Sequence, residues 1–384
     1  MWHEDHPEPV IRVGLLSTAA PDAPGSMLRF SRQIMSAFAH DPAIQVEIVQ
    51  LAPTQAQLSR IPRRLRMARH HAAAAWQCYR LDRRQYDVWH LLDGSHAYLT
   101  RFLPARNTVV TVHDIIPWLQ VQGKFDVPAP GRAARWLIQQ SLNGLNRVPK
   151  VLAVSTCTAR DLQATKLVNS SIEVCLQALE PEFFQADSGC LLLDGQEQTG
   201  GQLPYLFHIG NNGFYKNRPG VVEVFALVKQ RVPARLILAG PPPAASLRRR
   251  ITELQLDDSI TIVVDPSDEE LLKLYREAGL LLFPSYYEGF GWPPLEAMAS
   301  GCPVVSSVSG SLAEVIGDAA LGTQPDDLRG LADHCVQILT NPEVAADLRQ
   351  RGLAHARRFS LERLRDQLAG VYRQIATVKG EFRG

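Results

Sequence analysis

The 384-residue chain contains no run of about 18 apolar residues, so no segment is expected to span a bilayer. Its opening, MWHEDHPEP, is polar and lacks the apolar stretch of a secretory signal, an arrangement that points to the cytoplasm. Charge of one sign is missing too: 40 Lys and Arg against 39 Asp and Glu leave +1, and no overall field to gather nucleic acid. The six cysteines, Cys78, Cys157, Cys175, Cys190, Cys302 and Cys335, form no CxxC pair and no regular spacing. They read as small core residues in a reducing compartment. No Asp-x-Asp is present to hold a divalent ion against a diphosphate, and His3, Glu4, Asp5 and His6 fall on a terminus expected to be a tail, so no metal site is expected.

What is present is a soluble composition, 46% apolar and 21% charged, on a chain too long for one ordinary core. Two domains of roughly 150–190 residues each are expected. A strand at 10–16, a loop at 17–26, a helix at 27–40 and a strand at 45–51 form the opening of a doubly wound parallel sheet. The helix places Met27, Phe30, Ile34, Met35 and Phe38 at helical spacing. Further strands are expected at 87–92, 107–112 and 150–154, with a helix at 129–143 and another capped by Ser155 or Thr156. Composition then shifts: 179–204, including GQEQTGGQ at 195–202, is polar and glycine-rich and reads as a linker plus a loop. A second strand–helix series has strands at 204–209, 234–239, 259–264, 279–283 and 303–306. Ser267 with Glu270, and Ser311 with Glu314, read as capping boxes. The tail, FSLERLRDQLAGVYRQIATV, is an amphipathic helix striped by Leu364, Leu368 and Tyr372.

The stretch 283–301, FPSYYEGFGWPPLEAMASG, carries the most chemistry. A buried strand ends at Pro284-Ser285, a glycine turn follows, and Pro293-Pro294 open a helix carrying Glu296. Glycines let a backbone approach a ligand, and amides at a helix start favour phosphate. The carboxylates of Glu288 and Glu296 flank that turn, and a carboxylate can accept two hydroxyls at once. The combination suits a ligand bearing a diphosphate and vicinal diols. Either glutamate alone also fits a structural part, since an acid in a first helical turn complements the dipole.

The whole string, two glutamates with seven residues between them, GFG inside and EAMASGCPVV after, resembles the signature of retaining GT-B glycosyltransferases, specifically family 4. VTVHDIIP at 110–117, KVLAVS at 150–155 and HIGNNGFYKNR at 208–218 resemble further segments of that family. The resemblance implies an α/β GT-B architecture of two Rossmann-like domains facing each other across a cleft. It would comprise an acceptor-binding domain at 1–178, a linker at 179–204, a donor-binding domain at 205–362, and a helix at 363–384 returning to the first domain. It implies hexose transfer from a nucleotide-sugar with retained anomeric configuration. GDP-mannose is the first expectation for the donor and a UDP-hexose the second, with no cofactor or metal. By the resemblance Glu296 would hold the ribose hydroxyls and Glu288 the sugar hydroxyls, with the amides of Gly289, Phe290 and Gly291 on the sugar or diphosphate. Lys216 would offset the diphosphate's charge. His113 would stand beside the transferred sugar. The first loop, glycine-rich in the family and set against the donor phosphates, holds Gly25 here; Asn211 stands where some members carry arginine, leaving open whether Lys216 acts alone or with Arg218.

Same-face attack by the acceptor, with the leaving phosphate taking the proton, is the expected course; Glu288 as a covalent nucleophile is the alternative. The acceptor is expected to be a glycan, a glycolipid or another lipid-linked molecule, with His96 a further candidate for touching it. Residues 57–85 carry eight arginines against Asp82, with Trp76 and Tyr79 interleaved. Such a helix can lie on an anionic membrane surface, attract a phosphorylated acceptor, or present a solvated face. A nucleotide-sugar epimerase or a non-catalytic nucleotide-sugar-binding protein are the other functions the sequence admits.

Overall fold

The computed structural model describes residues 10–22, 25–184 and 203–380. The expected tail at 3–6, Cys190 and most of the expected linker lie outside the described residues. The chain divides into two compact units, Met1–Ala178 with Leu361–Gly384, and Leu179–Ser360.

The first unit runs β1 (Ile11–Ser17), α1 (Ser26–Ala37), β2 (Ile44–Gln50), the short α2 (Gln55–Ser59), α3 (Arg63–Arg80), β3 (Val88–Leu91), β4 (Thr108–Val112), α4 (Ile116–Val121), α5 (Arg132–Leu145), β5 (Lys150–Ala153), α6 (Thr156–Ala164) and β6 (Ser171–Val174). Its six strands are parallel and ordered β2-β1-β3-β4-β5-β6. The interior strands β3, β4 and β5 are buried throughout, as apolar strands covered on both faces must be. Beyond the last strand expected in this half, at 150–154, β6 adds an edge. Its sequence, SIEV, is short and half-exposed, so it carries none of the apolar density that marks a central strand.

The second unit runs β7 (Tyr205–Ile209), α7 (Arg218–Lys229), β8 (Arg235–Ala239), α8 (Ala245–Glu253), β9 (Ile260–Val263), α9 (Asp268–Glu277), β10 (Leu280–Phe283), α10 (Trp292–Ala299), β11 (Val304–Ser307), α11 (Leu312–Ile316), β12 (Leu321–Thr323), α12 (Leu328–Thr340) and α13 (Pro342–Ala356). These strands are also parallel, in the order β12-β11-β10-β7-β8-β9. Leu236, Leu238, Leu280 and Leu282 from the sheet pack with Val221, Phe225 and Leu331 from the helices. The last helix, α14 (Leu361–Gly380), belongs to the first unit and buries Leu364, Leu368 and Tyr372 there. The Tyr372 ring lies 5.7 Å from that of Phe38, and its hydroxyl bonds His90 Nδ1 at 2.7 Å.

Each sheet reverses its strand order once. In the second unit the chain moves outward from β7 to β9, then returns to place β10 on the other side of β7. In the first unit β2 lies on one side of β1 and β3 on the other. The carboxyl ends of strands at such a reversal form a crevice, the place where open α/β sheets bind ligands.

Candidate active site

At the second unit's reversal, two loops leave β7 and β10. The β7 loop closes in a 3-10 turn, Phe214–Lys216, and Asn217 then adopts the left-handed conformation with φ 50 and ψ 41. Asparagine tolerates that conformation better than most residues. Its Oδ1 accepts from Gly220 N at 3.1 Å, capping α7, while its Nδ2 donates to Pro284 O at 3.0 Å. Tyr286 N donates to Tyr215 O at 2.8 Å. Between these stitches Lys216 Nζ lies 2.9 Å from each carboxylate oxygen of Glu288, with both side chains largely buried.

The Glu288 turn is fastened from outside by serines of the SSVSGS run, residues 306–311. Ser307 Oγ donates to Ser285 O at 2.5 Å and Ser309 Oγ to Tyr286 O at 2.6 Å. The single hydroxyl hydrogen of Ser311 serves Glu288 O at 2.9 Å or Phe290 O at 2.5 Å. Gly310 permits this approach: at φ 62, a Cβ there would sit 3.0 Å from the backbone N and O of Glu288. The expected Ser311–Glu314 capping box is therefore corrected, for the Ser311 side chain makes no cap bond on α11 because it is spent on the turn. The Ser267–Glu270 box does form, and Ser155 caps α6.

Gly289 and Phe290 are buried, and the Phe290 ring packs edge-on against Trp292 and Phe359. Gly291 precedes α10 at φ 115, and a Cβ there would meet Leu312 Cδ2 at 2.7 Å. No side chain caps the start of α10, where Pro293 and Pro294 carry no N–H, so what that helix end offers an anion is chiefly its dipole. Glu296, in the second turn, is 2% exposed, and its Oε2 accepts from the Tyr275 hydroxyl at 2.6 Å. Tyr275 is itself set by edge contacts with Phe207 and Phe183.

Behind Lys216 are two residues that sequence reasoning either passed over or left open. His208 donates from Nδ1 to Leu282 O at 3.0 Å and stacks on Phe283, while its Nε2 bonds nothing. Burial pushes its pKa down to about 3, with the charges of Arg218 and Lys216 acting the same way, so the ring is neutral. Arg218 is 2% exposed; its Nη1 donates to Asn212 Oδ1 at 2.6 Å and Pro241 O at 2.9 Å. Its Nε and Nη2 have no partner, and among the described residues no carboxylate pairs with it. Its charge therefore adds to the positive potential around the reversal. Asn211 is exposed and shapes its own loop: its Oδ1 accepts from Gly213 N at 2.8 Å and its Nδ2 donates to Tyr215 Oη at 3.2 Å.

The structure thus gathers Lys216, Glu288, Gly289, Phe290, Gly291 and Glu296 in the second unit. Gly25 and His113 belong to the first. Gly25 precedes α1 in an extended conformation open to any residue, exposed, with nothing within 4 Å of where a Cβ would stand. His113, at the carboxyl end of β4, donates from Nε2 to Leu92 O at 2.9 Å and accepts at Nδ1 from the Gln177 amide at 2.7 Å. Burial lowers its pKa, and both nitrogens are occupied inside the unit. Serine hydroxyls anchoring a turn leave a trace in sequence, the run SSVSGS, but Tyr275 and His208 leave none, because each meets its partner only through the folded sheet.

Residues 194–355 match the family model described as glycosyl transferases group 1. The chain is 29% identical over 318 residues to the O-antigen chain mannosyltransferase B of Escherichia coli, covering 78% of this chain and 80% of that protein. Among solved structures it is similar to sucrose-phosphate synthase from Thermosynechococcus elongatus, with a TM-score of 0.75 at 20% identity, over 96% of this chain and 100% of that one. It is also similar to Anabaena HepE in complex with UDP-glucose, with a TM-score of 0.71 at 16% identity, over 95% of this chain and 100% of that one.

Proposed function

We propose that the chain, which has the GT-B fold and matches the group 1 glycosyl transferase model over residues 194–355, is a glycosyltransferase that moves a hexose from a nucleotide-diphosphate sugar to a glycan or lipid-linked acceptor, retaining anomeric configuration. GDP-mannose is the first donor proposed, on the likeness to the O-antigen mannosyltransferase, and a UDP-hexose the second, on the likeness in fold to a UDP-glucose complex.

The observation that carries the reading is the Lys216–Glu288 pair spanning the strand reversal beside the uncapped start of α10. Breaking the anomeric C–O bond builds positive charge on the sugar and negative charge on the diphosphate. Lys216, already held in place, and the α10 start meet the diphosphate; Arg218 raises the potential from behind. Glu288 takes sugar hydroxyls and Glu296, steadied by Tyr275, takes the ribose diol. The acceptor attacks on the face the leaving group departs from, and its proton passes to the leaving phosphate. This scheme draws its countercharge from Lys216 and Arg218 and asks for no metal or cofactor.

The lipid end of an acceptor would be met at α3, where Leu65, Met67, Trp76 and Tyr79 are exposed among Arg66, Arg69 and Arg80. No helix among the described residues is long and apolar enough to cross a membrane, so this contact would be peripheral.

A thermal-shift panel of GDP-, UDP- and ADP-sugars tests the donor assignment, because a ligand that binds only the folded state raises its stability. GDP-mannose should raise the melting midpoint most. Glu296→Ala should abolish most of that rise, and Lys216→Ala should mainly slow turnover. Full activity in both variants would sink the site assignment.

A further inference from the structure

The loop after β7 holds its lysine by more than the ion pair. Lys216 Nζ stands 5.6 Å from the centre of the Tyr215 ring and 5.2 Å from that of Phe283, over each ring. With both Glu288 oxygens at 2.9 Å, the ammonium is enclosed by a carboxylate and a pair of aromatic rings. Phe283, the last residue of β10, is fully buried and also stacks with His208.

Tyr215 is half-buried in the 3-10 turn, and its place is set from several sides. Its carbonyl accepts from Tyr286 N at 2.8 Å, and its hydroxyl accepts from Asn211 Nδ2 at 3.2 Å. Its ring meets that of Phe214 edge-on at 5.7 Å. Gly213 makes room for it, since a Cβ there would stand 2.6 Å from Tyr215 Cε1. The lysine stem passes close to Gly210, where a Cβ would lie 3.4 Å from Lys216 Cγ.

An aromatic face carries the negative lobe of the ring quadrupole and attracts a cation lying over it, most strongly where water is kept away. An ammonium on a flexible four-carbon stem needs such guidance more than a planar guanidinium does. A carboxylate alone holds it only until something competes. The proposed chemistry competes at both ends of the pair, since Glu288 takes sugar hydroxyls and the diphosphate draws on Lys216. The ring faces bond neither hydroxyl nor phosphate, so their hold on Nζ outlasts that exchange.

We propose that Tyr215 and Phe283 are positioning residues that cage the Lys216 ammonium, keeping it aimed at the leaving diphosphate while the Glu288 carboxylate is shared with the donor sugar. The inference rests on the glycosyltransferase reading and adds to it the groups that fix its countercharge.

Phe283 is part of the core, so the test falls on Tyr215. Misplaced countercharge costs most where charge builds, in the transition state. Tyr215→Leu should therefore lower kcat about tenfold and move the donor KM by less than about threefold. Tyr215→Phe keeps the ring and loses the hydroxyl, and should stay within about twofold of the parent. In a Lys216→Met background, Tyr215→Leu should change kcat no further, because the group it positions is gone. Equal losses from Tyr215→Leu and Tyr215→Phe would assign the effect to the Asn211 bond and overturn the cage. So would an undiminished fall from Tyr215→Leu in the Lys216→Met background. Denaturant unfolding reads the cage without turnover: the stability losses of Tyr215→Leu and Lys216→Met should sum to more than that of the double variant, and strict additivity overturns it. A parent protein that turns over no nucleotide-sugar yet shows this coupling sinks the glycosyltransferase reading and leaves the cage. A parent that turns over donor while the two substitutions act additively does the reverse.

Discussion

The two sheets are built alike and furnished differently. Each has six parallel strands and one reversal. At the β7/β10 reversal the loops are bonded to each other through Lys216 to Glu288, Asn217 to Pro284 and Tyr286 to Tyr215, and three serine hydroxyls at and beyond the end of β11 each hold a carbonyl of the Glu288 turn. At the β1/β3 reversal the groups are the imidazoles of His70, His71 and His96, hydroxyls and the Asp93 carboxylate, beside α3, which buries two side chains among residues 65–80. The difference follows from what each could bind. Charge that grows during a reaction is best met by charge fixed beforehand, since reorganising a polar site at that moment costs rate.

Cutting the fixed pair is the most damaging test of that contrast. Glu288→Ala leaves Lys216 inside without its carboxylate, and losing one partner of a buried pair costs about 3–5 kcal/mol. Removing both, Lys216→Met with Glu288→Leu, should recover most of that stability while activity stays lost. Denaturant unfolding of the two singles and the double gives the coupling directly. Additive losses would mean that the pair is not the rigid feature of the second unit.

A subtler probe treats both units at once, because each buries a histidine in its sheet. His90, bonded on both nitrogens by Tyr372 and Thr111, is pushed by burial down to about 3, and His208 likewise. An unfolded histidine takes its proton near pH 6.5, so the unfolded state binds more protons below that value. Stability contributed by the neutral rings is full above about pH 6.5 and is lost as pH falls toward 3. At pH 4.5 the loss should be roughly 2–3 kcal/mol per histidine. His90→Gln and His208→Gln should each flatten one share of the slope, read as denaturation midpoint against pH. A slope unchanged in both variants would remove these rings as its source.

What could be read in advance was what lies close together along the chain. FPSYYEGFGWPPLEAM shows the strand, turn and helix start as a string, and GFYKN shows the lysine beside a left-handed asparagine. The short edges β6 and β12 were missed because SIEV and LGT lack the apolar density of β10. The Lys216–Glu288 contact spans 72 positions and the Tyr275–Glu296 bond joins two helices, so neither has a local pattern. Ser311 was misread because a serine three residues before a glutamate at a helix start is a common cap, and here tertiary bonding overrode it. The His70–His71–His96 cluster needs α3 folded over the 3-10 helix Gly94–Phe102 before it exists.

The smallest effects separate the two loops at the level of one glycine each. Gly291 has φ 115 and no space beside Leu312, so Gly291→Ala should cost about 1–3 kcal/mol and disturb the α10 start with it. Gly25 is extended and opens onto empty space. Alanine there should leave stability within about 0.5 kcal/mol of the parent, or raise it by up to about 1 kcal/mol by restricting the unfolded chain. Since the fold is unaffected, donor turnover in Gly25→Ala reads the ligand role of that loop cleanly. A tenfold fall would mean that a Cβ intrudes where the donor phosphates pass, which would bring the first loop into the donor site as its family resemblance implies. Turnover within twofold would leave the diphosphate to Lys216 and the α10 start, and the asymmetry between the two reversals would stand.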